Sequence, residues 1–313
     1  MKHHNGYQVE QPLIQKKRNF FQNVFHSQKV APYVFVLPFI ISFLLFSAYP
    51  IISAFSMSFQ EIVPGETKFI GLKNYQDLWN EHFFTAIYNT ARYTFWTLVV
   101  LIPIPLILAV LLNSKKMVAR NFLRSVLFIP ALTSIIVGGA IFRLIFGQLE
   151  TAPMNTLLIL LGFDPLEWTM GSHTGMFLMV ALASWRWMGV NLLYFLSGLQ
   201  SIPNELYEAA EIDGANTLTK FLRITIPLLK PVTIYVLTIS IYGGFSMFTE
   251  SFVFWGNKSP SDIGLTIVGY LYQQSFEFFN MGFGSAIGVT LLVSVLLINI
   301  LQLKLFGQFR KED

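Results

Sequence analysis

The chain has 313 residues, 54% hydrophobic and only 12% charged, with a mean hydropathy of +0.56. Soluble domains carry about 25% charged residues, so the composition points to a bilayer as the surrounding solvent. The absence of cysteine excludes disulfides and thiolate metal sites, and a net charge of +4 gives no reason to expect nucleic acid as a partner.

Residues 1–31 are polar, and no small-residue cleavage site follows a short apolar core. A cytoplasmic N-terminal arm is expected rather than a cleaved leader. His3 and His4 read as solvated residues of that arm, not as metal ligands. A spanning helix needs about 20 mostly apolar residues. Six stretches qualify: 32–56, 90–113, 124–146, 174–199, 232–255 and 281–306. Their length and lack of strict alternation favour helices over barrel strands. Prolines such as Pro38, Pro103, Pro105 and Pro130 are tolerable because neighbouring helices can satisfy the freed backbone groups.

Fifteen Lys and Arg fall in the N-terminal arm, in 114–124, in 200–231 and at the C-terminal end, against three (Lys68, Lys73, Lys258) in the alternate connections. This asymmetry predicts that both termini and the 200–231 connection are cytoplasmic. The external stretches "FIGLKNYQDLW" and "MNTLLILLGFDPLEW" mix apolar, aromatic and turn-forming residues. The second reads as a short amphipathic helix at the outer interface, ending at Trp168. No internal repeat is evident, which counts against an inverted-repeat secondary transporter.

The connection "YEAAEIDGANTLTKFLRITIPLLKP" runs from Tyr207 to Pro231 between two apolar spans. Pro203 suits a first helical turn, and Glu205 and Glu208 suit the positive end of a helix dipole. Leu206, Ala209 and Ala210 share one side. Asp213-Gly214 stops the first helix, and a second starts about Thr217 with an apolar edge of Leu218, Phe221 and Leu222. Pro227 and Pro231 are expected to end the excursion. Two short helices with small alanines on one face and an anchored Phe221 suit docking into a protein groove. Acidic residues argue against rest on a negative cytoplasmic leaflet.

Glu208, Ala209, Ala210, Asp213, Gly214, Ala215, Phe221, Ile224, Pro227 and Pro231 resemble the EAA loop of permease subunits in ATP-binding-cassette importers. "PFIISFLLFSAYPIISAFSMSF" and the two external stretches extend the likeness over nearly the whole chain. They resemble the sugar-permease branch, on the side of the maltose-type MalF subunits, and the arabino-oligosaccharide permeases of Gram-positive bacteria in length and in lacking a large external insert. The resemblance implies an all-α, six-span, MetI-like type I importer permease fold over residues 32–313, with a coupling loop at 203–231. It implies a second homologous permease subunit in a heterodimer, two ATPase subunits carrying ATP and Mg, an extracellular solute-binding protein and a sugar substrate. The cell membrane is the implied location. Glu208, Ala209, Ala210, Asp213, Gly214 and Phe221 are the implied coupling residues. The chain has no G-x-x-x-x-G-K-[ST] phosphate loop, so it is not expected to be an enzyme or to hold a cofactor itself.

Polar residues inside spans are costly and mark candidate function. "SWRWMGVNLLYF" and "GGFSMFTESFVFW" pair flat aromatics with amide, hydroxyl and carboxylate groups, a mixture suited to sugars. Trp187, Asn191, Tyr194, Phe245, Phe248, Glu250 and Ser251 are the expected passage residues. Structural alternatives stand beside them: Trp185 and Trp187 as packing or interfacial anchors, Arg186 and Glu250 paired with each other or with the partner permease, Arg92 and Arg143 snorkelling from span ends, and Gly243 and Gly244 in helix packing. A permease for another solute, such as glycerol 3-phosphate or a polyol, is the nearest alternative function. A secondary transporter or channel would leave the docking loop unexplained.

Overall fold

The computed structural model describes residues 29–63, 65–114 and 117–308. The N-terminal arm through residue 28, Lys115, Lys116, Arg310 and Lys311 lie outside the described residues. The chain divides into two units, Met1–Ser53 and Ala54–Asp313. The first contributes most of α1, Pro32–Met57, a helix with mean hydropathy 2.2 and a π turn at Leu44–Ala48. Its apolar residues show no amphipathic stripe, as suits a membrane helix.

In the second unit a hairpin, β1 Gln60–Val63 and β2 Glu66–Phe69 with Gln60 opposite Phe69, leads into the stretch "FIGLKNYQDLW". A short helix, α2 Lys73–Asp77, follows. Buried Asn74 ties the two together, its amide donating to the Ser58 and Gln60 carbonyls at 3.0 and 2.9 Å. The second span starts nine residues before the expected 90, at α3 Glu81–Leu101, and runs on as α4 Pro103–Asn113. Asn80 sets that start by capping the Phe83 N–H at 2.9 Å. Pro103 and Pro105 mark the α3–α4 junction.

The third span differs from the expected single helix over 124–146. It consists of α5 Arg120–Leu132 and α6 Ile135–Ile145, bent by 101°. Thr133 and Ser134 adopt extended backbone at the bend. The described residues thus hold five helices long and apolar enough to cross a membrane, and six if the bent pair makes one crossing. The expected interfacial helix ending at Trp168 is also corrected. The helix there, α7, covers only Pro153–Leu160. Trp168 is buried, and its indole N–H donates to Asn155 Oδ1 at 2.8 Å.

The fourth span, α8 Ser172–Gln200, is the centre of this unit, with 56% of its apolar window buried. Its N-terminal half packs Met176, Met179 and Leu182 with Phe146, Trp168 and Phe254 in a first core, and its C-terminal half packs Leu192, Phe195 and Leu199 with Leu112 and Leu229 in a second. Lipid tails are as apolar as these side chains, so close approach rather than water exclusion holds such helices together. Gly189 shows it: a Cβ there would overlap the Leu127 carbonyl of α5. After α8 come α9 Asn204–Ile212 and α10 Thr217–Lys220. A π turn at Phe221–Thr225 and a helical turn at Ile226–Leu228 extend α10.

The fifth span is broken into α11 Lys230–Phe245 and α12 Thr249–Trp255, and Phe248 has non-helical backbone (φ −139°, ψ −53°). Non-helical backbone at membrane depth persists only where it is satisfied or lines a cavity. Here the Thr266 hydroxyl donates to the Met247 carbonyl at 2.9 Å. A short helix, α13 Ile267–Tyr272, leads to the last span, α14 Met281–Leu305. Phe83, Tyr270, Phe283 and Ile287 form a third core among α3, α13 and α14.

Candidate functional site: a cavity between spans and a helical loop

A cavity of about 430 Å³ opens between α3, α8, α11 and α12. Each wall helix presents one face to it at helical spacing: Tyr93, Thr97 and Leu101 from α3, Trp187, Asn191 and Tyr194 from α8, and Tyr235, Ile239 and Tyr242 from α11. Ser246, Met247 and Phe248 of the break, with Thr249 and Glu250 of α12, complete it. Tyr194 meets Tyr235 edge to face at 5.2 Å, and Phe248 lies 5.2 Å from Tyr272. Glu250 is the one acidic side chain in the lining, which includes no Lys, Arg or His. The arrangement offers flat aromatic faces, hydroxyls and one carboxylate, and suits a polar ligand with apolar C–H patches.

Of the expected passage residues, Trp187, Asn191, Tyr194, Phe248 and Glu250 line this cavity. Two do not. Phe245 packs instead against the third core. Ser251 is buried, and its hydroxyl donates to the Gly264 carbonyl at 2.5 Å. Ser251 lies beyond the helix break, in α12, whereas Phe245 is the last residue of α11 and lies on its side toward the third core. Asn191 also acts between helices, where its amide donates to the Leu101 carbonyl at 2.9 Å.

The structural alternatives also separate. Trp185 packs against Phe142, with ring centroids 5.8 Å apart, whereas Trp187 faces the cavity. Arg186 makes no ion pair with Glu250; its guanidinium carbon lies 5.7 Å from the Trp187 ring centroid. Gly243 and Gly244 both line the cavity, and Gly244 also packs on Thr94, whose hydroxyl would lie 2.5 Å from an added Cβ. Arg92 lies mid-way along α3, which extends beyond the apolar run, and its guanidinium bonds Ser172 and His173 at the start of α8. Arg143 lies in the last turn of α6, with the Val253 carbonyl 3.4 Å away.

Sequence reading missed Tyr93, Thr97, Tyr235 and Tyr242. Their signal is a polar or aromatic residue every three or four positions within an apolar span, the same signal that marks Trp187, Asn191 and Tyr194.

The second candidate element is the α9–α10 connection. α9 closes in a Schellman cap: Gly214 has φ +78°, its N–H reaches the Glu211 carbonyl at 3.1 Å, and the Ala215 N–H reaches Ala210 at 2.8 Å. Asn216 then caps α10 through the Thr219 N–H at 2.8 Å. Lys220 pairs with Glu211 at 3.3 Å, and the Tyr207 and Thr225 hydroxyls meet at 3.0 Å. Glu208, Ala209, Asp213 and Gly214 are exposed, while Ala210 and Phe221 are half-buried. Tyr207, rather than the expected Phe221, packs against the second core. Pro227 sits within a helical turn, and the helical backbone breaks at Leu229 (φ −81°, ψ −2°), before the fifth span. Leu206, Ile212, Leu218 and Leu222 leave large apolar side chains exposed beside the acidic residues.

Apolar helices around a polar, aromatic-lined cavity, joined by a charged helix-turn-helix, define a membrane permease. Residues 101–310 match the family of binding-protein-dependent transport system inner membrane components. The arabinooligosaccharides transport system permease protein of Bacillus subtilis is 61% identical over 296 residues, covering 95% of each chain. Its namesake from Halalkalibacterium halodurans is 53% identical over 311 residues, covering 98% of each. Among solved structures, a chain of a bacterial transporter that imports the acidic polysaccharide alginate superposes with a TM-score of 0.79 at 23% identity, covering 90% of this chain and 96% of that one. The chain belongs to the binding-protein-dependent transport system inner membrane component family, as a multi-pass membrane protein of an ATP-binding-cassette importer.

Proposed function

We propose that this permease subunit carries neutral arabino-oligosaccharides across the cell membrane. The observation that carries the reading is the near full-length identity of 61% and 53% to two arabinooligosaccharide permeases. The cavity chemistry agrees with it: Trp187, Tyr194 and Phe248 offer faces for the C–H patches of a sugar ring, and Thr97, Ser246 and Thr249 offer hydroxyl partners. A phosphorylated solute such as glycerol 3-phosphate would meet Glu250 and no cation in this lining.

In this reading an extracellular binding protein delivers the sugar, a second homologous permease completes the passage as a heterodimer, and two ATPase subunits bind ATP and Mg and drive the cycle. The EAA loop, 203–231, docks through Glu208, Ala209, Ala210, Asp213, Gly214 and Phe221, and lies with both termini on the cytoplasmic side. The exposed apolar residues beside acidic ones support a protein partner there.

The test is uptake of labelled arabinotriose by a strain lacking this chain, with and without its restoration, and in sealed vesicles with and without ATP. Uptake should need both the chain and ATP. Uptake that persists without the chain overturns the assignment, and uptake that needs the chain but not ATP makes it a secondary transporter.

A further inference from the structure

The helical stretch Glu81–Asn113 has 33 residues, roughly 50 Å at 1.5 Å per residue, which exceeds the ~30 Å hydrocarbon core. An apolar crossing of about 20 residues that ends at Asn113 begins about Thr94. On that placement Arg92 stands at headgroup level. Its guanidinium donates to Ser172 Oγ at 3.1 Å and lies 2.8 Å from His173 Nδ1, both at the start of α8. A guanidinium only donates, so Nδ1 accepts and His173 keeps its proton on Nε2. Neither partner cancels the charge. The ion pairs among the described residues are His82–Asp262 and Lys220–Glu211, so Arg92 is paired with no carboxylate.

An open groove of about 450 Å³ between α3 and α8 is capped by this cation. Trp96, Val100, Phe177, Val180 and Ala181 line it, with Trp96 46% and Phe177 51% exposed. On both helices the order is the same: a polar residue first, the Arg92 cation on α3 and the uncharged His173 on α8, then apolar residues such as Trp96 and Val100 or Met176 and Phe177. That polarity is the polarity of a membrane amphiphile.

We propose that this groove binds an anionic phospholipid, with its phosphate on Arg92 and one acyl chain along Trp96 and Phe177. A phosphate supplies what the chain itself lacks, a bidentate acceptor for an unpaired guanidinium at headgroup depth. A protein helix seated in the groove would have to bring its own carboxylate to that depth.

The protein, purified with the subunits that accompany it, is placed in phosphatidylcholine nanodiscs that carry a minor fraction of brominated phosphatidylglycerol or of brominated phosphatidylcholine. Bromine on the acyl chains quenches tryptophan on contact, and subtraction of a Trp96→Phe preparation isolates Trp96. Brominated phosphatidylglycerol should quench Trp96 about fivefold more efficiently than brominated phosphatidylcholine. Arg92→Gln should remove the preference and leave the weaker quenching by phosphatidylcholine. Equal quenching of the unaltered protein by the two lipids overturns the proposal in favour of ordinary annular lipid. Absence of quenching by either overturns it in favour of a protein subunit covering the groove. Both of these outcomes are read from the chain with Arg92 intact, so they stand even where the Arg92 variant fails to assemble.

Discussion

Asn191 hydrogen-bonds the carbonyl of Leu101 at 2.9 Å, and Leu101 is the residue whose helical partner four positions on is Pro105. Proline has no N–H to offer that carbonyl. The α8 amide therefore supplies from the neighbouring helix the donor that α4 lacks, at membrane depth where water cannot substitute. Asn191→Ala should destabilise the folded protein by about 1–3 kcal/mol, the cost of a buried unsatisfied polar group. Pro105→Ala in the same chain should recover part of that loss, because residue 105 then brings its own N–H. Thermal unfolding in detergent across the four members of this cycle measures the coupling. Strictly additive effects would show that the two positions do not share the carbonyl.

The cavity separates residues that the sequence grouped together. Trp187→Ala should raise the KM for saccharide uptake two- to tenfold, the equivalent of losing an aromatic contact worth about 0.5–1.5 kcal/mol. Ser251→Ala should leave KM unchanged and lower thermal stability, since its hydroxyl serves Gly264 rather than the cavity. A KM change in Ser251→Ala that matches the Trp187 effect would contradict the assignment of the cavity as the passage.

Glu250 is the one carboxyl side chain in the lining, which includes no Lys, Arg or His. Glu250→Gln should leave a neutral oligosaccharide bound as before and improve binding of the same chain bearing a uronic acid by about tenfold, close to the 1.4 kcal/mol expected from removing one like charge in a poorly screened site. Equilibrium titration of the detergent-purified protein against both saccharides reads the ratio. An unchanged ratio removes Glu250 from charge selection.

Gly214 and Glu208 should fail differently. Val at 214 resists φ +78° by about 1–2 kcal/mol and disrupts the cap that sets the angle between α9 and α10. Ligand-stimulated ATP hydrolysis should fall while the ATPase subunit still co-purifies. Glu208→Lys reverses charge on an exposed face, and the ATPase subunit itself should be lost, more so in high salt. Normal hydrolysis and uptake in both variants would remove the loop from coupling.

The orientation is open to a direct check. A single cysteine at Asn257 should react with an impermeant thiol reagent added outside intact cells, and one at Asn216 should not, given the fifteen-to-three distribution of basic residues. The reverse pattern would invert the topology.

Hydropathy and capping made much of this fold legible. The fourth and sixth spans, 174–199 and 281–306 as read, are found at Ser172–Gln200 and Met281–Leu305, because long uninterrupted apolar runs leave little choice. Asp213-Gly214 marked a helix end for a local reason that no tertiary contact alters. The bend at Thr133-Ser134 was not legible, since Pro130 sits within the helix before it and nothing in the apolar run shows where the direction changes. Ser251 is hard to place from sequence for a related reason. Helical spacing carries a face along a span only while the helix is continuous, and the interruption at Ser246–Phe248 cannot be seen in hydropathy. Trp168 looked interfacial because tryptophan often is; its Asn155 partner lies across a loop that only the fold closes.

That interruption divides one span into two mechanical bodies. The first piece, Lys230–Phe245, begins directly after the α9–α10 loop and carries Tyr235 and Tyr242. The second piece, Thr249–Trp255, is keyed elsewhere: Val253 fills the space over Gly139, and the Trp255 indole donates to the Thr169 carbonyl at 2.8 Å. If the loop is the coupling element proposed above, its displacement would pass along the first piece, and the break at Ser246–Phe248 is where it would be absorbed before the second. Tyr235 and Tyr242 would then slide past Glu250, so that the cavity would change shape by shear between its own walls.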